Sequence, residues 1–175
     1  MAKLRKMLCD INSPECTALM RLIETQSQAT LASWAIQYAK DNYLGIYETQ
    51  RPQDSILRDT ILSCEEYLAG SRKLAEVKPL LTEAGQTARG LEENPIAQAA
   101  ARAVSTACAA VRTPTNALGF LFYGSAAVAY SQAGLEETIE TYNKIAEAEL
   151  KKAFASLQQV SIPDEPHPAK IKWNC

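Results

Sequence analysis

Residue types that carry enzyme chemistry are scarce in this chain of 175 residues. Its one histidine, His167, lies between two prolines, so no serine or cysteine of the predicted helices has an imidazole base beside it. Acidic pairs such as Glu65-Glu66 are sequence neighbours, and adjacent side chains on a helix point about 100° apart. The glycines are isolated and form no phosphate-binding loop. The sequence therefore predicts no catalytic residue.

The spacing of the cysteines predicts neither a metal site nor a disulfide framework. They are odd in number and irregularly spaced, with no CxxC pair, which is typical of reduced thiols in a cytosolic protein. A structural zinc site needs about four converging ligands, and no such spacing occurs. We predict no bound metal and no cofactor. The cysteines are Cys9, Cys16, Cys64, Cys108 and Cys175.

Charged and aromatic residues on otherwise apolar helices are the candidates for binding a partner. Arginine suits such a role because its planar fork pairs with carboxylates through two hydrogen bonds. The alternative is that these residues form ion pairs between helix ends or a solvated stripe, that Tyr123 is core, and that Asn116 bonds nearby backbone. Trp34, at helical spacing with Leu31, is predicted to be core. The candidates are Glu48, Asp54, Arg58, Arg89, Arg102, Arg112, Asn116 and Tyr123.

The elements that must position these residues are helices with repeated start signals. Ser13-Pro14, Asn94-Pro95 and Thr113-Pro114 each place a capping side chain before a proline at the first helical position. Pro79 is acceptable only in a first turn, so its helix should begin at about Ala75. The predicted helices cover 14–25, 29–47, 55–69, 75–89, 95–113, 114–132 and 135–159.

These patterns predict an all-α protein: a single compact bundle of six to seven helices around a largely apolar central helix at 114–132. No segment alternates with period two. Small side chains such as Ala103 and Ala107 should allow close helix packing. The predicted organisation is an N-terminal lead (1–12), the bundle domain (13–160) and an extended C-terminal tail (161–175). Trp173 in that tail either folds back or meets a partner.

Charge and hydropathy limit the partners. With 18 Lys+Arg against 20 Asp+Glu the net charge is −2, which disfavours a nucleic-acid binder. The basic N-terminus has no apolar stretch behind it, and the longest apolar run, 117–130, is shorter than the ~20 residues that cross a membrane. We therefore predict a cytoplasmic protein that does not contact membranes.

Residues 34–128 resemble a bacterial family of immunity proteins from polymorphic-toxin loci, named after the fifth immunity-protein group. The resemblance rests on Trp34-Ala35 with Tyr38-Ala39, Pro52-x-Asp54-x-x-x-Arg58-x-x-Ile61, Ala88-Arg89, Ala100-Ala101-Arg102-Ala103, and Pro114-Thr115-Asn116-Ala117-Leu118-Gly119 with Tyr123. It implies an all-helical, non-enzymatic protein that binds and neutralises a cognate protein toxin.

This chain departs from the family's pattern at several positions. The pattern has histidine where the chain has Asn116, Arg112 and Gly85, and Arg-Pro where it has Ile56-Leu57. If those histidines serve a metal or a toxin's active site, this member has lost that role.

Two other functions stay open from the residues alone. One is a small helical enzyme or cofactor carrier, with a pocket between the fifth and sixth predicted helices lined by Arg102, Asn116 and Tyr123. The other is a homo-oligomeric structural module. The sequence allows a monomer or a homodimer.

Overall fold

This computed structural model describes residues 3–174, which contain eight α-helices and no strand. The all-α prediction is confirmed, and the predicted count of six to seven helices is too low. The helices are α1 (Pro14–Ile23), α2 (Gln28–Asn42), α3 (Leu44–Gln50), α4 (Ile56–Leu68), α5 (Leu74–Arg89), α6 (Pro95–Ala109), α7 (Asn116–Ala133) and α8 (Ile139–Val160).

The additional helix arises because the segment predicted as 29–47 is two helices that meet at Tyr43. This residue has φ −117° and ψ −34°, away from the helical mean near −63° and −42°. Its ring is fully buried and its hydroxyl donates to Glu149 of α8. The chain bends where Tyr43 enters the core, and this contact with a residue far along the chain leaves no local sequence signal.

Two of the three predicted proline starts are confirmed. The Ser13 hydroxyl accepts from the Cys16 N–H at 3.2 Å, and the Asn94 side chain accepts from the Ala97 N–H at 3.1 Å. At the third, α7 begins only at Asn116, because Thr113 to Thr115 form a turn whose Pro114 carbonyl accepts from the Ala117 N–H.

The placement of Pro79 in a first turn is wrong. Helix α5 begins at Leu74, where the Glu76 carboxylate accepts from the Lys73 N–H at 2.8 Å, so Pro79 lies in the second turn. Pro79 leaves the Ala75 carbonyl without its helical donor. Both residues are exposed, and water can supply the missing hydrogen bond.

Helix α7 is largely buried, and it shares the centre of the bundle with α6, which has no exposed residue. It packs most extensively on α6, where Ala100, Ala103 and Ala107 are fully buried, and on α8. Phe120 of α7 meets Trp34, Tyr38 and Tyr43 edge-on, with ring centroids 5.5–6.1 Å apart. Trp34 is core, as predicted, and is only 4% exposed.

The lead lies along α7. Leu8 is buried and its N–H donates to the Phe122 carbonyl at 3.1 Å. Further along, the Tyr130 hydroxyl donates to the Arg5 carbonyl at 2.6 Å. These contacts hold the backbone of the lead at two points.

The tail folds back onto the junction of α1 and α2. The Gln26 side chain bonds both backbone groups of Ile162, and the Ala169 N–H donates to the Gln26 carbonyl at 2.8 Å. The Trp173 indole donates to Glu24 Oε1 at 2.6 Å. Of the two alternatives for Trp173, the structure has it packed on its own domain.

Three cysteine thiols are buried within the bundle. Cys64 of α4 and Cys108 of α6 have no exposed surface, and the Cys64 thiol donates weakly to the Cys108 carbonyl at 3.9 Å. Cys16 lies in the first turn of α1. Cys175 falls outside the described residues.

None of the eight helices is both long enough and apolar enough to cross a membrane, within the region from residue 3 to residue 174.

Candidate partner-binding surfaces

Three of the predicted site residues lie together around the break at Pro52. Arg58 of α4 binds Glu48 of α3 through two hydrogen bonds, of 2.8 Å from Nε and 2.6 Å from Nη2. Asp54 accepts from the Tyr47 hydroxyl at 2.5 Å and from the Ile56 N–H at 3.0 Å. These are internal links between α3 and α4, as the ion-pair alternative expects.

The electrostatics of this cluster follow from those bonds. The Arg58 guanidinium lowers the pKa of the Glu48 carboxyl. Burial, and then the hydrogen bond to Asp54, raise the pKa of the Tyr47 hydroxyl well above its ordinary value. Both groups therefore keep their ordinary protonation at neutral pH.

Three other predicted residues have no charged or hydrogen-bonded side-chain partner within residues 3–174. Arg89 is exposed at the end of α5, and Arg112 is exposed just after α6. Asn116 is half-buried at the first position of α7, and the expected local hydrogen bond of its side chain does not form. Arg89 and Arg112 lie near opposite ends of α6, whose 15 residues span about 22 Å. The eight candidates therefore do not form one surface.

Arg102 and Tyr123 do come together. The Arg102 guanidinium carbon lies 5.9 Å from the centroid of the Tyr123 ring, in cation–π geometry. Tyr123 is half-buried and packs on the core. The neighbouring α6–α7 interface is solid, with Ala103 and Ala107 fully buried, and this favours a surface role for Arg102 over a pocket between the two helices.

Arg102 also lines a groove of about 390 Å³ between α6 and the lead, which we call the basic groove. The lead contributes three more cations, Lys3, Arg5 and Lys6, and among the described residues that line the groove only Glu92 carries a carboxylate. None of these four cations is ion-paired with an acidic side chain of the described chain. The lead was not predicted as part of a site.

A second groove, which we call the apolar groove, lies on the other side of the lead. Its volume is about 750 Å³, and it shares Lys3, Leu4, Arg5 and Tyr130 with the basic groove. Leu135 and Ile139 line it and are 38% and 37% exposed. Glu136 and Glu137 also line it.

A buried carboxylate lies between α2 and α8. Glu149 is 5% exposed, and its Oε2 accepts from the hydroxyls of Tyr38 at 2.7 Å and Tyr43 at 2.6 Å. Burial is the main cause that raises the pKa of both tyrosines, and the charge of Glu149 adds to it. Both tyrosines therefore stay protonated at neutral pH and donate their hydroxyl hydrogens to the buried carboxylate.

Sequence reasoning missed Glu149, although a signal exists. The inward face of α8 contains Tyr142, Ala146, Leu150 and Ala153, and Glu149 falls within that stripe at helical spacing. A charged residue on an inward stripe must find buried hydrogen-bond donors, because an unpaired buried charge is costly.

Two further grooves open above this cluster and are divided by the hydrogen bond from Lys152 Nζ to Asn42 Oδ1, of 2.5 Å. One, of about 690 Å³, lies over Trp34 and Tyr38, and the other, of about 590 Å³, includes Glu149. No three histidine, cysteine or acidic side chains converge as metal ligands within the described chain.

A family model described as Imm-5 like putative immunity protein matches residues 21–155. The matched range contains all eight candidate residues and ends before the tail. No curated protein and no solved structure matches the chain.

Proposed function

Because the chain belongs to the Imm-5 like putative immunity protein family, we propose that it binds a cognate protein toxin stoichiometrically and neutralises it without catalysis. The observation that carries this proposal is the family match over residues 21–155, which spans the bundle from α1 into α8. The proposed setting is the bacterial cytoplasm, with a toxin encoded by a neighbouring gene.

The surface supports a binding role. Arg89 and Arg112 are exposed and Arg102 is half-buried. None of the three pairs with a carboxylate of the described residues, in contrast to Arg58. Arginines without an internal ion pair can bind carboxylates of a partner without first losing one. Their charge would also accelerate encounter with an acidic surface.

The positions where this chain departs from the family's pattern limit the mechanism. Arg112 and Asn116 stand where the pattern has histidines, and both are accessible on the loop between α6 and α7 or at its edge. We propose that neutralisation proceeds by occlusion of the toxin through arginine and apolar contacts, and not through imidazole ligands.

Co-expression with the product of the adjacent toxin gene tests the proposal. We expect cells that die when the toxin is made alone to survive when both proteins are made. The two proteins should co-purify, and light scattering should give the mass of a one-to-one complex. Ala103→Asp, which places a charge in the closed α6–α7 interface, is the matched control that should not rescue. If the folded wild-type protein neither rescues the cells nor forms a complex with the toxin, this function is excluded.

Light scattering of the isolated protein over a concentration series separates this function from a structural module. We propose a monomer or homodimer that binds the toxin, with no role for nucleic acid or membrane. A larger assembly that forms without the toxin would favour the structural alternative.

A further inference from the structure

The geometry of the two grooves beside the lead points to a specific docking site, and the inference rests on the function proposed above. We propose that the basic groove binds an acidic segment of the toxin, and that the apolar groove receives a large apolar side chain of that same segment.

The first argument is charge. One groove of about 390 Å³ is lined by four cations, and Glu92 is the one carboxylate among its described residues. The cations are Lys3, Arg5, Lys6 and Arg102. The whole protein carries a net charge of −2, so this local excess of three positive charges is opposite in sign to the rest of the chain. Like charges held close together repel one another, and carboxylates of a partner would relieve that repulsion.

The second argument is that the backbone carrying the lead's cations is held in place before the partner arrives. The lead backbone is bonded to α7 at Arg5 and at Leu8, with Leu8 buried beneath it. Arg102 lies against the Tyr123 ring. A site whose backbone is already positioned loses less entropy on binding than a mobile basic terminus.

The third argument is continuity. The basic and apolar grooves share four residues, so one bound segment can occupy both. These are Lys3, Leu4, Arg5 and Tyr130. Volumes of about 390 and 750 Å³ lie in the range of sites that hold several side chains. Leu135 and Ile139 give the second groove exposed apolar walls.

The acidic residues determine which way the segment lies. Lys3 and Arg5 line both grooves, whereas Glu136 and Glu137 line only the apolar groove and would repel carboxylates on its Leu135 side. The acidic residues of the segment should therefore face Arg102 and α6, and its apolar residue should face Ile139. The same glutamates, with Glu92, oppose the uniform negative charge of a nucleic acid, which favours a short acidic protein segment as the occupant.

The test uses the full-length protein, the toxin domain encoded by the adjacent gene, and Lys3→Glu/Lys6→Glu. Both lysines are exposed and hold no part of the fold, so melting should not change. We expect the Kd for the toxin to rise at least about tenfold at low ionic strength, and the difference to shrink in ~0.5 M salt. The matched control, Lys78→Glu/Lys170→Glu, reverses two exposed lysines elsewhere and should change Kd less than about twofold.

A second pair of variants tests the apolar groove. Ile139→Ser should weaken toxin binding by a factor that does not depend on salt, because it removes an apolar contact. Leu62→Ser, at a more exposed leucine on α4, is the control and should bind as the wild type does.

The outcomes separate this inference from the proposed function. A wild-type protein that binds no toxin overturns both. Toxin binding that is equally strong in Lys3→Glu/Lys6→Glu overturns only the docking site. A third outcome is that the variant binds the toxin as the wild type does but no longer binds a duplex oligonucleotide that the wild type binds. The basic groove would then be a nucleic-acid site, and the proposal would be overturned.

Discussion

Gly124 of α7 lies directly against the ring of Tyr43, and a Cβ atom at Gly124 would overlap that ring and its hydroxyl. The absence of a side chain at one position thus makes room for a fully buried tyrosine at the other. From this position Tyr43 donates to Glu149, so the glycine also determines how the buried carboxylate is satisfied.

We expect Gly124→Ala to destabilise the protein by at least about 1–3 kcal/mol, because the added methyl displaces Tyr43 from the core. Urea unfolding measures the change. Gly45→Ala on α3 is the matched control, since nothing lies within 4 Å of its added Cβ. That variant should be neutral or gain up to about 1 kcal/mol from helix propensity. Equal effects at the two glycines would contradict the packing described here.

Ala103→Leu should destabilise the bundle by about 1–3 kcal/mol, since Ala103 is fully buried where α6 meets α7. Thermal melting followed by circular dichroism is sufficient to detect this. Ala155→Leu, at an exposed position of α8, adds the same atoms without overpacking and should melt close to the wild type. A wild-type melting temperature for Ala103→Leu would mean that α6 presents another face to α7.

Ser125→Ala should leave the protein as stable as the wild type or up to about 1 kcal/mol more stable. The Ser125 hydroxyl is buried without a hydrogen-bond partner among the described atoms, so its removal relieves an unsatisfied polar group. Ser63→Ala, at another buried serine, provides the comparison. A clear loss of stability in Ser125→Ala would reveal a hydrogen bond that the hydroxyl makes in solution.

Stability should fall as the pH rises above about 10, the ordinary pKa of tyrosine. Burial raises the pKa of Tyr43 in the folded state, so above that pH the unfolded chain releases a proton that the folded chain keeps. The stabilisation is complete below pH 10 and decreases by up to about 1.4 kcal/mol per pH unit for this residue. Urea unfolding between pH 8 and 11 should show a shallower decline in Tyr43→Phe. An unchanged slope in that variant would rule out Tyr43 as a source of the effect.

Acid should release the tail. The hydrogen bond from the Trp173 indole is the main cause that lowers the pKa of Glu24. The tail contact is therefore fully present above the ordinary glutamate range, near pH 4, and is lost as the pH falls through the lowered pKa of the docked state. In a Trp34→Phe background, Trp173 fluorescence should shift to the red on acidification. Glu24→Gln has no carboxylate to protonate and should show the red-shifted emission already at neutral pH. Emission that stays constant down to pH 3 would contradict this.

The sequence predicts the fold where the signal is local. Ser13 and Asn94 cap their helices because the capping oxygen and its backbone donor are three residues apart. The division of α2 from α3 could not be predicted, because it depends on Tyr43 reaching Glu149 across 106 residues. The predicted first-turn position of Pro79 is wrong because the rule that excludes proline from later turns takes no account of solvent exposure. Water can replace the hydrogen bond that an exposed proline removes.

The site could be predicted only in part, because a charged residue's partner is set by tertiary structure. The sequence identifies Arg58 and Glu48 as candidates, but only the fold makes them a pair. Arg102 was identified from its alanine-rich helix, whereas the three cations of the lead were not, since nothing in residues 1–12 indicates that they dock beside α6. The relation between lead and helix exists only in the folded chain.

The sealed thiols of Cys64 and Cys108 have a practical consequence. A maleimide can alkylate them only in molecules whose α4–α6 interface has separated. The alkylation rate, followed by mass spectrometry with and without bound toxin, would report how often the bundle opens and how far complex formation suppresses those openings.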